Sequence, residues 1–457
     1  MTKIKRQARF VTGSTMRHVA VMTSTGMIGL TFMFLIDAVT LFWVSKLDNE
    51  SFMAAMGFAW SVQFFTISVA IAFMIAATAL VSRSLGAENW EDARKQTSVS
   101  AVITVSVLTL AVIALLMFRE QILTAVGATG QTRDVASKFL LISVPSLPIM
   151  ALGMIGSAVL RAEGDGVRSM MVTISSGITA AVVDPLLIFG LDMGVDGAAL
   201  GVSIARITSA FIAIYFVISV KDLAGRINFA DIKRWYLPFA IIAVPTILTQ
   251  MASPTGNLLA TRVISDFGES AVAGWAVLGR VTVVAFGGVF ALSGAIGGIV
   301  GQNFGAGEFG RVRDAYRDAL IFSTGYVLVV WAVLALLTPF ILSAFELSDG
   351  AADVVTAFNY LAAGSFAFAG ALYVSNASFN NLGRPLYSTL FNWIKDGALM
   401  LPLCIWGAGI YGAQGVIYGQ GAAWVIAGTV SAIFGWRFIS QVEARTAKSR
   451  NGALRSK

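Results

Sequence analysis

The sequence predicts an all-α integral membrane protein with twelve transmembrane helices arranged as two six-helix repeats. Three observations predict it: the apolar composition, the length of the apolar runs, and a constant offset between motifs of the two halves. Of 457 residues, 57% are apolar and only 12% charged, with a mean hydropathy of +0.78. That exceeds what a soluble core needs. A spanning helix takes about 20 largely apolar residues. Such runs cover 18–44, 52–80, 95–118, 136–160, 169–191, 196–219, 237–261, 270–300, 315–343, 353–380, 386–408 and 412–439. Each is continuously apolar, whereas barrel strands alternate over about ten residues, so the runs read as helices.

The first run follows a basic stretch from Lys3 to Arg9 and continues to Val44 without a small-residue cleavage site, so it reads as a retained helix. Cys404 is the single cysteine, which excludes an intrachain disulfide. The net charge of +7 is not a nucleic-acid signature, because the basic residues flank the apolar runs. Twenty-four of the 32 Lys and Arg fall at the N-terminus, in the even-numbered loops and in the C-terminal tail; five (Lys46, Arg119, Arg133, Lys138, Arg262) fall in odd-numbered loops. That bias predicts both termini in the cytoplasm, for a chain expected in a bacterial inner membrane.

The repeat is visible in the loops. VSRSLGAENWEDARK from Val81 and VGQNFGAGEFGRVRD from Val300 are 219 residues apart, and the same shift relates Gly164 to Gly383 and Ser51 to Ser270. Six crossings return the chain to its starting side, so the halves run parallel. The predicted organisation is a cytoplasmic segment 1–17, a first lobe 18–219, a linker 220–236, a second lobe 237–439 and a tail 440–457. The charged stretch Lys221 to Arg234 reads as a tether long enough to let two bundles rock. Gly86 and Gly305 read as helix terminators.

An acid inside a spanning helix needs a partner or a function. Asp37 precedes Lys46 by nine residues and Asp184 precedes Asp192 by eight. At about 1.5 Å per residue, both carboxyls lie roughly 12 to 14 Å below the outer end. If the first and fifth helices face each other, the two acids share one site that takes up a proton or holds a small cation. Alternatively, Arg206 in the sixth helix neutralises one of them. In the second half, Arg280 and Asp396 lie at similar depth and are expected to pair, structurally or as a substrate contact; neighbouring Lys395 has no assigned role. His18, the only histidine, marks the membrane entrance of the first helix.

One His and one Cys exclude most integral-membrane enzymes, which need clustered ligands or a nucleophile with its base. Neither repeated loop carries a phosphate-cradling motif, so nothing supports ATP as driver. A receptor or scaffold would leave the buried acids without a role.

IDAVTLFW around Asp37, SLGAENWEDARK, LRAEGDGVRS, DPLLIFGLDMGVDGAALG, GQNFGAGEFGRVRDA and NNLGRPLYS together resemble the multidrug and toxic compound extrusion (MATE) family along essentially the whole chain. The resemblance implies a cation-coupled antiporter, working as a monomer without a resident cofactor, that exports drug-like amphipathic cations by alternating access. It places the coupling ion, H⁺ or Na⁺, at Asp37 and Asp184. A lipid-linked saccharide flippase of the same superfamily is the alternative. The sequence departs from the family pattern at Ala180 and Val202, where a sodium-type site has oxygen ligands, which favours protons over a hard cation. Met22 replaces a frequent proline, and Ser253 and Ala369 stand where one branch has acids, so the DinF-like branch fits better.

Overall fold

A computed structural model describes residues 7–47 and 50–455; the side chains of 36–38, 45, 50–51 and 445–455 also lie outside the described set. No strand occurs among the described residues. The spanning segments are α1 (Thr15–Ser45), α2 (Glu50–Gly86), α3 (Trp90–Met117), α4 (Gly130–Glu163), α5 (Gly166–Gly190), α6 (Gly194–Val220) and α7 (Phe229–Ser265). Two further segments are bent: α8 joins Glu269–Ala285 to Gly287–Gly305 at 47°, and α10 joins Asp349–Tyr360 to Ala362–Asn381 at 46°. Between them runs α9 (Phe309–Ala344). The last stretch, Pro385–Ala444, is 60 residues long. At about 1.5 Å per residue it would outreach any bilayer. It breaks at Gly412, whose φ of +60° and ψ of −141° belong to no helix. Gly407 and Gly415 then approach so closely that neither has room for a Cβ. The break yields α11 (385–411) and α12 (413–444), and with them twelve crossings among the described residues.

The duplication is written into the backbone. Left-handed residues close helices at Glu88 and Gly307, at Gly127 and Glu346, and at Gly164 and Gly383, each pair 219 apart. Every one carries the same terminating hydrogen bond from the next amide: Asn89 N to Ser84 O, Glu308 N to Asn303 O, Ala128 N to Leu123 O, Leu347 N to Leu342 O, Asp165 N to Leu160 O and Arg384 N to Phe379 O, at 2.8–3.2 Å. This is the Schellman closure, which satisfies orphan carbonyls at a helix end. Gly86 and Gly305 end their helices as expected, but the left-handed residue is two positions further on.

The chain divides into two compact units. One comprises Ile28–Ser84 and Asn89–Ile247; the other comprises Met1–Met27, Leu85–Glu88 and Leu248–Lys457. Two boundaries fall inside α1 and α7, and the short Leu85–Glu88 piece bounds the others at the end of α2. The core of the first unit gathers Val44, Met56, Leu123, Phe139 and Ile188. In the second, Phe286, Phe358, Phe366 and Trp424 form an aromatic centre, with Phe286 stacked on Phe366 at 4.1 Å.

The repeated loops do more than turn the chain. In the first unit, the start of α3 pins the stretch between α6 and α7: Arg94 pairs with Asp222, Ser98 Oγ donates to Gly225 O at 2.8 Å, and Arg234 reaches Asp92 at 3.2 Å. The expected free tether is thus fastened, because the charges of WEDARK find partners on it. In the second unit, Gln302 Oε1 accepts from Phe10 N at 2.9 Å, while Arg311 donates to Phe10 O at 2.8 Å and to Gly13 O at 3.0 Å. Phe10 is buried with Val19 and Met22 against Leu292, Ile296 and Tyr316.

Lys221 also meets Glu163 at 2.9 Å and Asp165 at 2.8 Å, while Asp165 caps α5 through Arg168 N and pairs with the Arg168 guanidinium. Burial pushes the Asp165 carboxyl up, but the Lys221 and Arg168 donors outweigh it and hold it below its ordinary value of 3.8. A depressed carboxyl stabilises the fold above its unfolded-state value and loses that contribution as pH falls through the folded-state one. Asp165→Asn keeps the cap but not the charge. It is expected to lower stability at neutral pH by about 1–2 kcal/mol, the worth of a charge-assisted hydrogen bond. Thermal melts of both proteins should converge as pH drops below 3.8.

Candidate functional site

Among the described residues, four charged side chains lie buried in the interiors of spanning helices away from their ends: Asp184, Arg206 and the adjacent pair Lys395 and Asp396. Asp184 sits on α5 immediately before Pro185, which is followed by a π-helical turn from Leu186 to Gly190. Proline has no amide to donate, so the helix loosens there. The carboxyl is 1% exposed. Its Oδ2 accepts from Thr40 Oγ1 of α1 at 2.5 Å, and its Oδ1 has no hydrogen-bond partner among the described residues. Gly201 of α6 packs onto that oxygen so closely that a Cβ there would collide with it. One turn earlier on α5, Ala180 is buried with Ala205 and Phe32 in an apolar cluster.

A carboxylate held by one hydroxyl in such surroundings is a costly charge, and anything that neutralises Oδ1 relieves the cost. Asp37 stands on the same helix as Thr40, three positions earlier, which is one face of a helix. Its side chain lies outside the described residues. Thr40 was not singled out from the sequence, although its i+3 spacing from Asp37 was the signal that would have found it.

Arg206 does not neutralise Asp184. Its guanidinium donates to Ser143 O, Ser146 Oγ and Gln63 Oε1, each at 3.0 Å, and so ties α6 to α4 and α2. Ser143 precedes and Ser146 ends the short 3₁₀ turn Val144–Ser146 that interrupts α4.

The expected pairing of Arg280 with Asp396 is not what forms. Asp396 pairs with its own neighbour, Lys395 Nζ to Oδ1 at 2.6 Å, both side chains at most 2% exposed. A π-helical turn, Ile394–Leu399, carries the two. Lys395 Nζ lies 3.5 Å from the Trp424 ring centroid of α12, and Ser253 of α7 donates to Asp396 Oδ2 at 3.4 Å. Gly256, 219 residues after Asp37, leaves room for this carboxyl, where a Cβ would collide. Depth counted along the chain cannot fix which way a side chain points. Arg280 lies on an exposed face of α8.

The two units therefore hold unlike sites: one acid with an open oxygen, and one acid already balanced by lysine. No group of three or more His, Cys, Asp or Glu side chains able to hold a metal occurs among the described residues.

The MatE family profile matches twice, at residues 26–186 and 245–406, its two starts 219 residues apart. The chain is 24% identical to the FAD transporter of Shewanella oneidensis over 89% of its own length and 91% of that protein. It is likewise 24% identical to the multidrug export protein MepA of Staphylococcus aureus, over 86% of its own length and 87% of that protein. Its fold superposes with a TM-score of 0.90 on an outward-facing multidrug resistance MATE family transporter of the MOP superfamily, at 19% identity, covering 96% of this chain and 99% of that one. With the profile spanning most of both halves, the chain is a multi-pass membrane protein that belongs to the MatE family of transporters.

Proposed function

We propose that the protein is a cation-coupled antiporter that exports amphipathic organic cations or other drug-like compounds, with Asp37 and Asp184 as the coupling site and the proton as the coupling ion. The observation that carries this reading is the open Oδ1 of buried Asp184. A proton needs one basic atom, whereas a hard cation such as Na⁺ needs several oxygens. Gly201 packs against that atom, and Ala180, one turn earlier on the same helix, lies in an apolar cluster with Ala205 and Phe32 that offers no oxygen ligand, which favours the proton. Similarity to a multidrug export protein supports the substrate class; similarity to an FAD transporter keeps a flavin nucleotide as the second candidate. The basic bias of the loops supports an inner-membrane location with both termini cytoplasmic. One copy suffices, since both repeats are present in one chain.

Flux into proteoliposomes tests this directly. Under an imposed pH gradient at constant sodium, a fluorescent organic cation should move against its own gradient; under a sodium gradient at fixed pH it should not. The reverse pattern would overturn the proton assignment.

A further inference from the structure

α8 and α9 enclose a groove of about 480 Å³ whose lining is apolar except for one residue, Arg280. Val281, Val284, Val329, Val333, Leu337 and Phe345 make up much of the wall. Only 17% of the apolar window of helix α9 is buried inside the protein. Val284 is 61% and Val329 65% exposed within the protein. Apolar side chains so exposed on a spanning helix face hydrocarbon. The groove therefore opens to the bilayer.

Arg280 is the anomaly in it. The residue sits eleven positions into α8 from Glu269, about 16 Å along the helix. Among the described residues it has no hydrogen-bond or ion-pair partner, while Asp396, the acid nearest in expected depth, is taken by Lys395. A guanidinium is not deprotonated in proteins, so it cannot escape the cost of the site by neutralising itself. A long side chain can extend toward the headgroup level, but its counter-anion must then come from outside the chain.

We propose that this groove binds an anionic phospholipid of the surrounding bilayer, its phosphate held by Arg280 and one acyl chain lying along the Val329–Phe345 wall. Guanidinium and phosphate match in a bidentate fork, which a zwitterionic headgroup weakens by presenting its own cation. The groove is long and apolar, the shape of a single chain.

Native mass spectrometry of the full-length protein from detergent, with equimolar phosphatidylglycerol and phosphatidylcholine of identical acyl chains, reads this out. Wild type should retain phosphatidylglycerol over phosphatidylcholine by about tenfold, the worth of a charge-assisted hydrogen bond. Arg280→Gln should remove most of that preference, and Arg280→Lys should keep part of it. Val333→Trp, which fills the groove without touching charge, should reduce retention of both lipids. Equal retention of the two lipids by wild type overturns the proposal even if no variant folds. A preference undiminished in Arg280→Gln overturns it too, since other basic residues would then be its source. Full retention in Val333→Trp would overturn the acyl-chain assignment.

Discussion

Asp184→Asn is expected to abolish gradient-driven export while the protein stays inserted and folded. Asparagine keeps the shape and can still accept from Thr40 through its amide oxygen, the bond that Oδ2 makes now at 2.5 Å. What it loses is exchange of a proton at Oδ1, which has no hydrogen-bond partner among the described residues. One unit of pH gradient supplies about 1.4 kcal/mol per proton, and the membrane potential about 2.3 kcal/mol per charge per 100 mV. A variant that cannot couple to either should accumulate no substrate against its gradient, a loss of about tenfold in attainable ratio for each pH unit imposed. Substrate binding, measured separately by fluorescence anisotropy, should persist. Asp37→Asn is expected to behave alike. Wild-type export by either variant under a pH gradient would remove that acid from the coupling site.

The second large effect lies in the other unit. Lys395→Met leaves Asp396 buried beside an apolar side chain and the Trp424 ring. Removing one partner of a buried pair costs about 3–5 kcal/mol, because the other charge is stranded. Asp396→Leu strands the lysine in the same way. The double substitution Lys395→Met with Asp396→Leu is expected to recover most of the loss, since two apolar groups of similar volume leave no charge to compensate. Melting of the four proteins in detergent closes a double-mutant cycle. Additive losses would show that the two side chains do not stabilise each other. Flux by the stable double variant then asks whether the balanced pair contributes to export at all.

The twelve helices and the repeat were legible because both rest on signals local to the chain: apolar length, and loops whose glycines recur at fixed spacing. The Gly412 break falls at the edge of the gap between the apolar runs 386–408 and 412–439. What was not legible depends on azimuth. Asp37 and Asp184 could be set at one depth, and so could Arg280 and Asp396, yet only the packed structure shows that Asp396 turns to Lys395 and Arg280 turns outward. The π-helical turns after Pro185 and around Lys395 shift the facing of residues by amounts no straight-helix count contains. The roles of Arg94, Gln302 and Arg311 were hidden for a different reason: each binds backbone atoms far away in sequence, and a carbonyl leaves no mark in a side-chain pattern.

The places where the two compact units divide α1 and α7, after Met27 and after Ile247, are one residue from the 219 repeat. Each half of the gene thus contributes its opening half-helix to the unit built mainly by the other. A single ancestral half could not have completed its own bundle; it would have needed a second copy to supply that arm, as in a domain-swapped homodimer. Fusion of the two copies would have made the exchange permanent. For anyone cutting the chain to study one half, the break between residues 220 and 228 is therefore the wrong place, because it separates each bundle from the piece that its partner sequence encodes.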